Sequence, residues 1–269
     1  MISFPHCKIN LGLNVVSKRP DGFHNIETCF YPVPLADILE IIPASEFAFT
    51  QSGIDVPGTQ EENLCLRAYQ LLAKDFAVGN VKMHLHKIIP MGAGLGGGSS
   101  DAAFTLRGLN TVFDLKISIE QQKRYASKIG SDCSFFVEDT PMIGTGRGEI
   151  LSPISVHLTG HYLVLIKPEV HISTADAYSG MAPQKNEFSV EEILKLPLTA
   201  WRGNLKNDFE KSIFEKYPLI SRLKEKMYSL GAAYASMSGS GSSVFGIFEK
   251  PVDLKKDFSD CVYWSGELK

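Results

Sequence analysis

An α+β protein of two domains is what this chain predicts, and three observations carry the prediction. Strand-like and helix-like runs of ordinary length succeed each other along it, a glycine-rich loop joins one such strand to one such helix in the first half, and 44% of its 269 residues are hydrophobic. That length and apolar fraction suit two cores better than one. A boundary is expected near residue 150, giving segments 1–150 and 151–269.

Composition narrows the class of partner. The 27 basic and 30 acidic residues leave a net charge of −3, so neither nucleic acid nor an anionic membrane is expected, and a small molecule is. Cys7, Cys29, Cys65, Cys133 and Cys261 are odd in number and lack C-x-x-C spacing, which predicts reduced thiols in a cytoplasmic protein and no metal knuckle. No window approaches eighteen apolar residues and the first residues lack a basic-then-apolar leader, so export and membrane spanning are not expected. Oligomeric state is not readable from the sequence.

The first element is a strand over residues 4–16. Ile9, Leu11, Leu13 and Val15 alternate with Lys8, Asn10 and Asn14. The polar face is either a solvated edge or carries Lys8 and Asn10 side by side into a cleft. Pro20-Asp21-Gly22 then signals a turn, because proline presets one dihedral and glycine supplies a positive one. Phe23 and His24 follow it, either plain surface rings or a grip for a flat base. Residues 26–34, 37–43 and 46–52 read as short strands. Asn63 to Phe76 reads as an amphipathic helix with Leu64, Ala68, Leu71 and Leu72 inward and Asn63 as its cap.

The next strand, 81–89, leads into Pro90-Met91-Gly92-Ala93-Gly94-Leu95-Gly96-Gly97-Gly98-Ser99-Ser100-Asp101, and helical spacing resumes over 102–109. Ser99, Ser100 or Asp101 is the expected N-cap. Bare backbone opening a helix makes an anion cradle: glycines let N–H groups turn inward, and the helix dipole adds roughly half a positive charge. Polyphosphate is the expected guest. Gly92, Gly94 and Gly97 also satisfy the dinucleotide pattern G-x-G-x-x-G, but Pro90 separates strand from loop and Asp114 lies in no convincing second strand. A Walker A loop would carry lysine where Gly98 stands.

Beyond the loop, Ser118 caps a helix over 119–129 that Gly130 ends. Asp132 then stands at an element boundary, an N-cap or a site acid. Arg147 lies among Gly144, Gly146 and Gly148, placed either to meet phosphate or to face solvent. The second half opens with a strand over 162–166 and a short helix begun by Ser173 or Thr174, with Tyr178 one turn after Thr174 on the same face. A helix pair runs from Asn207 to Leu230 with a break at Pro218. Residues 235–248 read strand, glycine turn, strand, the turn being a tight hairpin or a second anion-contacting loop.

The loop Pro90–Ser100 closely resembles the phosphate loop of the GHMP kinase superfamily, and Ser238–Ser243 resembles that superfamily's third motif. The resemblance spans nearly the whole chain and implies a two-domain GHMP fold with the active site in the cleft between domains. It implies ATP and Mg²⁺ as cofactors, with Pro90, Met91, Gly92, Ala93, Gly94, Leu95, Gly96, Gly97, Gly98, Ser99 and Ser100 around the phosphates, Ser99 or Ser100 near the metal, and Asn63 and Lys87 at adenine. No residue is assigned as a protein ligand of the metal. By the same resemblance Lys8 and Asp132 are catalytic, and Asn10, Phe23, His24, Thr174 and Tyr178 bind substrate, with Phe23 and Tyr178 on opposite faces of a cytosine.

The triple glycine and Asp21-Gly22-Phe23-His24 are most similar to the branch that phosphorylates the 2-hydroxyl of 4-diphosphocytidyl-2-C-methyl-D-erythritol, on the methylerythritol phosphate route to isoprenoids. Other acceptors of the superfamily (mevalonate, homoserine, a sugar), a nucleotide-binding module without catalysis, and a dehydrogenase are the alternatives. Two departures from the commonest wording are Ala93 for glycine, expected to restrict a dihedral, and Asp101 for asparagine, expected to bring a charge near phosphate unless it points away.

Overall fold

The computed structural model describes residues 1–179, 181, 183 and 187–268. In chain order the strands are β1 (Ile2–Ser3), β2 (His6–Lys18), β3 (His24–Ala36), β4 (Ile38–Pro43), β5 (Ala48–Gly53), β6 (Val81–Lys87), β7 (Met142–Thr145), β8 (Ile150–Pro153), β9 (Tyr162–Pro168), β10 (Tyr234–Met237), β11 (Val244–Phe248) and β12 (Cys261–Glu267). The helices are α1 (Leu64–Asp75), α2 (Gly97–Val112), α3 (Ile119–Ile129), α4 (Thr174–Tyr178), α5 (Val190–Leu194), α6 (Phe209–Lys216) and α7 (Pro218–Ser229). Mixed helix and sheet bear out the α+β class.

Two compact units form, and they are not the consecutive segments 1–150 and 151–269. One holds Met1–Lys8, Leu35–Met91 and Gly96–Thr140; the other holds Ile9–Pro34, Gly92–Leu95 and Pro141–Lys269. A single cut near 150 misses this division because β2, β3 and the glycine loop each contribute residues to both units.

In the first unit the sheet runs β1-β4-β6-β5, with β5 parallel to β6 and the other neighbours antiparallel. Leu39, Ile41, Met83 and Leu85 form its buried face, where α2 packs on β4. Helix α1 begins as expected: the Asn63 Oδ1 accepts from the Cys65 N–H at 2.9 Å. Ser118 and Gln121 close a capping box on α3, and Gly130 ends it. For α2 the expectation is corrected. Its N-cap is Gly96 in the left-handed region, φ 69°, and Ser99, Ser100 and Asp101 lie inside the first turns. The serines cap nothing because three glycines ahead of them let the chain enter the helix earlier.

In the second unit one sheet runs β10-β11-β9-β12, all antiparallel, and α7 covers β10 and β11. Met227, Ile213, Ile220, Val164 and Ile166 fill the core beneath it. The other sheet has the order β2-β3-β7-β8. The expected helix pair is α6 and α7, with Pro218 at the first position of α7, where its missing N–H costs nothing. The polar side of β2 is no solvated edge: Lys8, Asn10 and Asn14 are all buried. All five cysteines are free thiols. Among the described residues no helix is long and apolar enough to cross a membrane.

Candidate active site

Within the first unit, Lys8 and Asp132 meet, with Nζ 3.6 Å from Oδ2. Lys8 is almost wholly buried, whereas the Asp132 side chain keeps 30% of its surface open. Asp132 lies in the second position of a 3-10 turn, Ser131–Val137, whose N-cap is Gly130, so it does not act as the cap. Burial holds the Lys8 ammonium below its ordinary pKa, and the Asp132 carboxylate pulls it partly back. Lys8 also borders the start of α2. A methyl on Gly96 would stand 3.0 Å from the Phe136 ring and 3.3 Å from the Lys8 Cε. Only a bare backbone there lets the lysine and the ring pack against the helix start.

Deeper under that helix, Lys87 departs from its expected place at adenine. Its ammonium is sealed between the carboxylates of Asp37 and Asp101, at 2.8 Å from Asp101, and is 1% exposed. A methyl on Gly97 would stand 3.0 Å from it. Two carboxylates claim the side chain beneath the loop. Asp37 also accepts from the Ile88 and Ile89 N–H groups at 2.5 and 2.8 Å, while the Asp101 Oδ1 has no partner. Burial pushes the Asp101 carboxyl up to about 7; Lys87 opposes this and the charge on Asp37 adds to it. The departure at Asp101 is thereby accounted for, since its side chain points down to Lys87.

Asn63 stands on the wall of a cleft of about 240 Å³, with Phe49, Gln51, Val56, Gly58 and Thr59. Its oxygen serves the α1 cap, accepting from the Cys65 N–H. Ser100 is fully buried with an unpartnered Oγ, and Ser99 is half-buried one residue earlier. Pro90 and Met91, at the loop's entry, are also half-buried.

In the second unit the front of the loop is built around Ser238. Its Oγ donates to the Gly94 carbonyl at 2.8 Å, the Asn10 N–H donates to that Oγ at 3.3 Å, and the Ser243 N–H donates to the Ala93 carbonyl at 3.3 Å. A methyl on Gly94 would collide with the Ser238 carbonyl oxygen, and one on Gly239 would stand 3.3 Å from the Asn10 Oδ1. Gly92 and Gly94 have φ of 58° and 74°, but Ala93 between them is not in that region. Its methyl therefore strains nothing, and the expected restriction is not felt. Leu95 is buried beside it, and a methyl on Gly98, at the helix start, would find only Leu64 at 3.5 Å. The Asn10 amide donates to Thr28 at 2.9 Å, and the Asn207 amide spans the Met237 and Gly239 carbonyls at 2.8 Å each. Thr28 escapes sequence reading; Ser238 and Asn207 stand in stretches that the sequence marks, without a role for either side chain.

Tyr178 stacks on His24, with centroids 4.8 Å apart and planes at 17°. Its edge meets Phe209 at 4.7 Å. Phe23 is exposed, with the Arg147 guanidinium 5.1 Å over its ring. Ser173, not Thr174, caps α4, and Thr174 is its exposed first residue.

Residues 63–139 match the GHMP kinases N terminal domain and residues 190–260 the GHMP kinases C terminal family. The chain is 55% identical to a 4-diphosphocytidyl-2-C-methyl-D-erythritol kinase of Cytophaga hutchinsonii over 97% of both chains. The chain belongs to this family of GHMP kinases. It is 50% identical to the Parabacteroides distasonis protein of the same name over the full length of each. A crystal structure of 4-(cytidine 5'-diphospho)-2C-methyl-D-erythritol kinase superposes with a TM-score of 0.84 at 31% identity, covering 99% of this chain and 98% of that one. The chain is therefore a kinase, and the dehydrogenase reading of its glycines falls.

Proposed function

We propose that the chain transfers the terminal phosphoryl group of ATP to the 2-hydroxyl of 4-diphosphocytidyl-2-C-methyl-D-erythritol, a step in isoprenoid precursor synthesis. The observation that carries this is the approach of Lys8 to Asp132 beside the glycine start of α2. The residues fit a polyphosphate: glycines 96–98 open the 16-residue helix α2 with bare backbone, and the buried Ser100 Oγ within its first turns has no partner. ATP supplies a phosphoryl group whose loose transition state asks for positioning and charge stabilisation.

Asp132, the more open of the pair, accepts the proton of the acceptor hydroxyl. Lys8, held dry beside it, keeps the acid ionised and offsets the developing alkoxide charge. Backbone N–H groups of residues 92–99 hold the nucleotide phosphates, the Ser100 N–H being donated to the Gly96 carbonyl at 2.9 Å, and Asn63 meets adenine. Phe23, His24 and Tyr178 take the cytosine, and Asn10 and Thr174 lie on the substrate path. In this reading the segment 1–150 carries the nucleotide-binding role and 151–269 completes the substrate site. Among the described residues no three His, Cys, Asp or Glu side chains converge as a metal cage. Mg²⁺ would offset charge on the ATP phosphates, with Ser99 or Ser100 at the start of α2 as its protein neighbour.

Phosphorus NMR of the product, with ADP release followed in parallel, tests the assignment. Transfer dependent on the cytidine diphosphate acceptor, and absent with mevalonate, homoserine or sugars, is the expected result. ADP release indifferent to the acceptor would count against it.

A further inference from the structure

A cluster in the first unit joins the strand that carries Lys8 to the segment that carries Asp132. The His6 Nε2 stands 3.0 Å from the Asp139 Oδ1, and the His6 Nδ1 donates to the Cys7 carbonyl at 2.9 Å. Arg107, from α2, pairs with the other Asp139 oxygen and donates to the Phe136 carbonyl at 3.2 Å. The His6 ring is wedged between Phe104, edge-on at 5.8 Å, and Phe136 at 5.6 Å. The Asp139 backbone is left-handed, φ 59°, a conformation that costs a non-glycine residue energy and persists only where its surroundings hold it. Burial alone would raise the Asp139 carboxyl, but the His6 and Arg107 contacts outweigh it and hold the group below its ordinary range.

The placement of these groups matters. His6 precedes Lys8 by two residues on β2, hence on the same side of the strand. Asp139 closes the segment that follows the 3-10 turn carrying Asp132, and Phe136 within that turn also lies under Gly96. One end of the cluster thus grips the strand that presents the lysine, and the other grips the turn that presents the acid. We propose that His6, Asp139 and Arg107 form a positioning clamp that sets the separation of Lys8 from Asp132. The inference rests on the catalytic reading of that pair. A displacement of about 1 Å in such a pair costs on the order of a hundredfold in rate.

The test measures kcat and both KM values for His6→Ala, His6→Gln, Asp139→Gly and the double variant His6→Ala/Asp139→Gly, with melting curves for each and Lys8→Met alongside. Glycine adopts φ 59° freely, so Asp139→Gly removes the clamp while relieving the backbone. His6→Ala and Asp139→Gly are each expected to lose about tenfold to a hundredfold in kcat with KM within threefold. His6→Gln recovers most of it, because its amide N–H reaches toward Asp139, and the double variant is no worse than the poorer single one. Unchanged kcat in the single variants, additive losses, losses that follow melting temperature, or failure of both single variants to fold would each overturn the clamp. Wild-type turnover in Lys8→Met would instead overturn the catalytic reading beneath it.

Discussion

The Lys8 Nζ lies 3.6 Å from the Asp132 Oδ2, with the lysine buried and the acid open on one side. Lys8→Met and Asp132→Asn are each expected to lower kcat by about a hundred- to ten-thousandfold and to leave the KM for ATP within a few fold. Steady-state kinetics with both substrates checks this, and a rise in KM at constant kcat would contradict it.

Lys8→Met also has a stability consequence of opposite sign. Burial lowers the folded-state pKa of Lys8 from 10.5, so its charge costs stability below that lowered value. The cost fades as pH rises toward 10.5, because over that window the unfolded chain binds more protons. The inactive variant should therefore be about 1 kcal/mol more stable than the parent near neutrality. Denaturant melts at rising pH should show the gap closing.

Asp101 supplies a second pH test, in the reverse direction. Its folded pKa is raised from 3.8 to about 7, so its contribution to stability is fully present below 3.8 and is lost as pH rises through 7. Asp101→Asn is expected to be less affected by pH than the parent between 5 and 8. Lys87→Met strands two buried carboxylates and should cost about 3–5 kcal/mol, read as a loss of folding and not as a selective loss of nucleotide affinity.

Glycines of the loop should differ sharply in tolerance. Gly94→Ala meets a backbone carbonyl and a positive φ, and is expected to weaken ATP binding at least about tenfold and to destabilise by about 1–3 kcal/mol. Gly98→Ala lies in the helix with only Leu64 at 3.5 Å, and should be neutral or stabilising by up to about 1 kcal/mol. Calorimetric titration of ATP and thermal melts separate the two.

Tyr178→Ala removes the ring stacked on His24 and should raise the KM for the cytidine substrate by about fivefold to a hundredfold, the usual worth of one base stack, with the KM for ATP unchanged. Because His24 covers one face of Tyr178 at 4.8 Å, a cytosine reaches that face only if the two part. Protection of both rings in an NMR titration with cytidine diphosphate would register the parting.

Local chemistry was legible without coordinates. Glycines at 92–98 followed by a helix, the alternation along β2, and the caps at Asn63, Ser118 and Ser173 are dictated by neighbours a few residues away, and the structure contains each of them. What spacing could not determine is which side chain meets which across long separations. Lys87 and Asp101 looked like ligands of nucleotide and a misplaced charge until Asp37, fifty residues from Lys87, joined them in one buried pair of contacts. Tyr178 stacks on His24, and Ser238 holds Gly94 from 144 residues away. Such pairings depend on how strands register and helices dock, and on which buried charge must find a partner, and only the folded chain decides these.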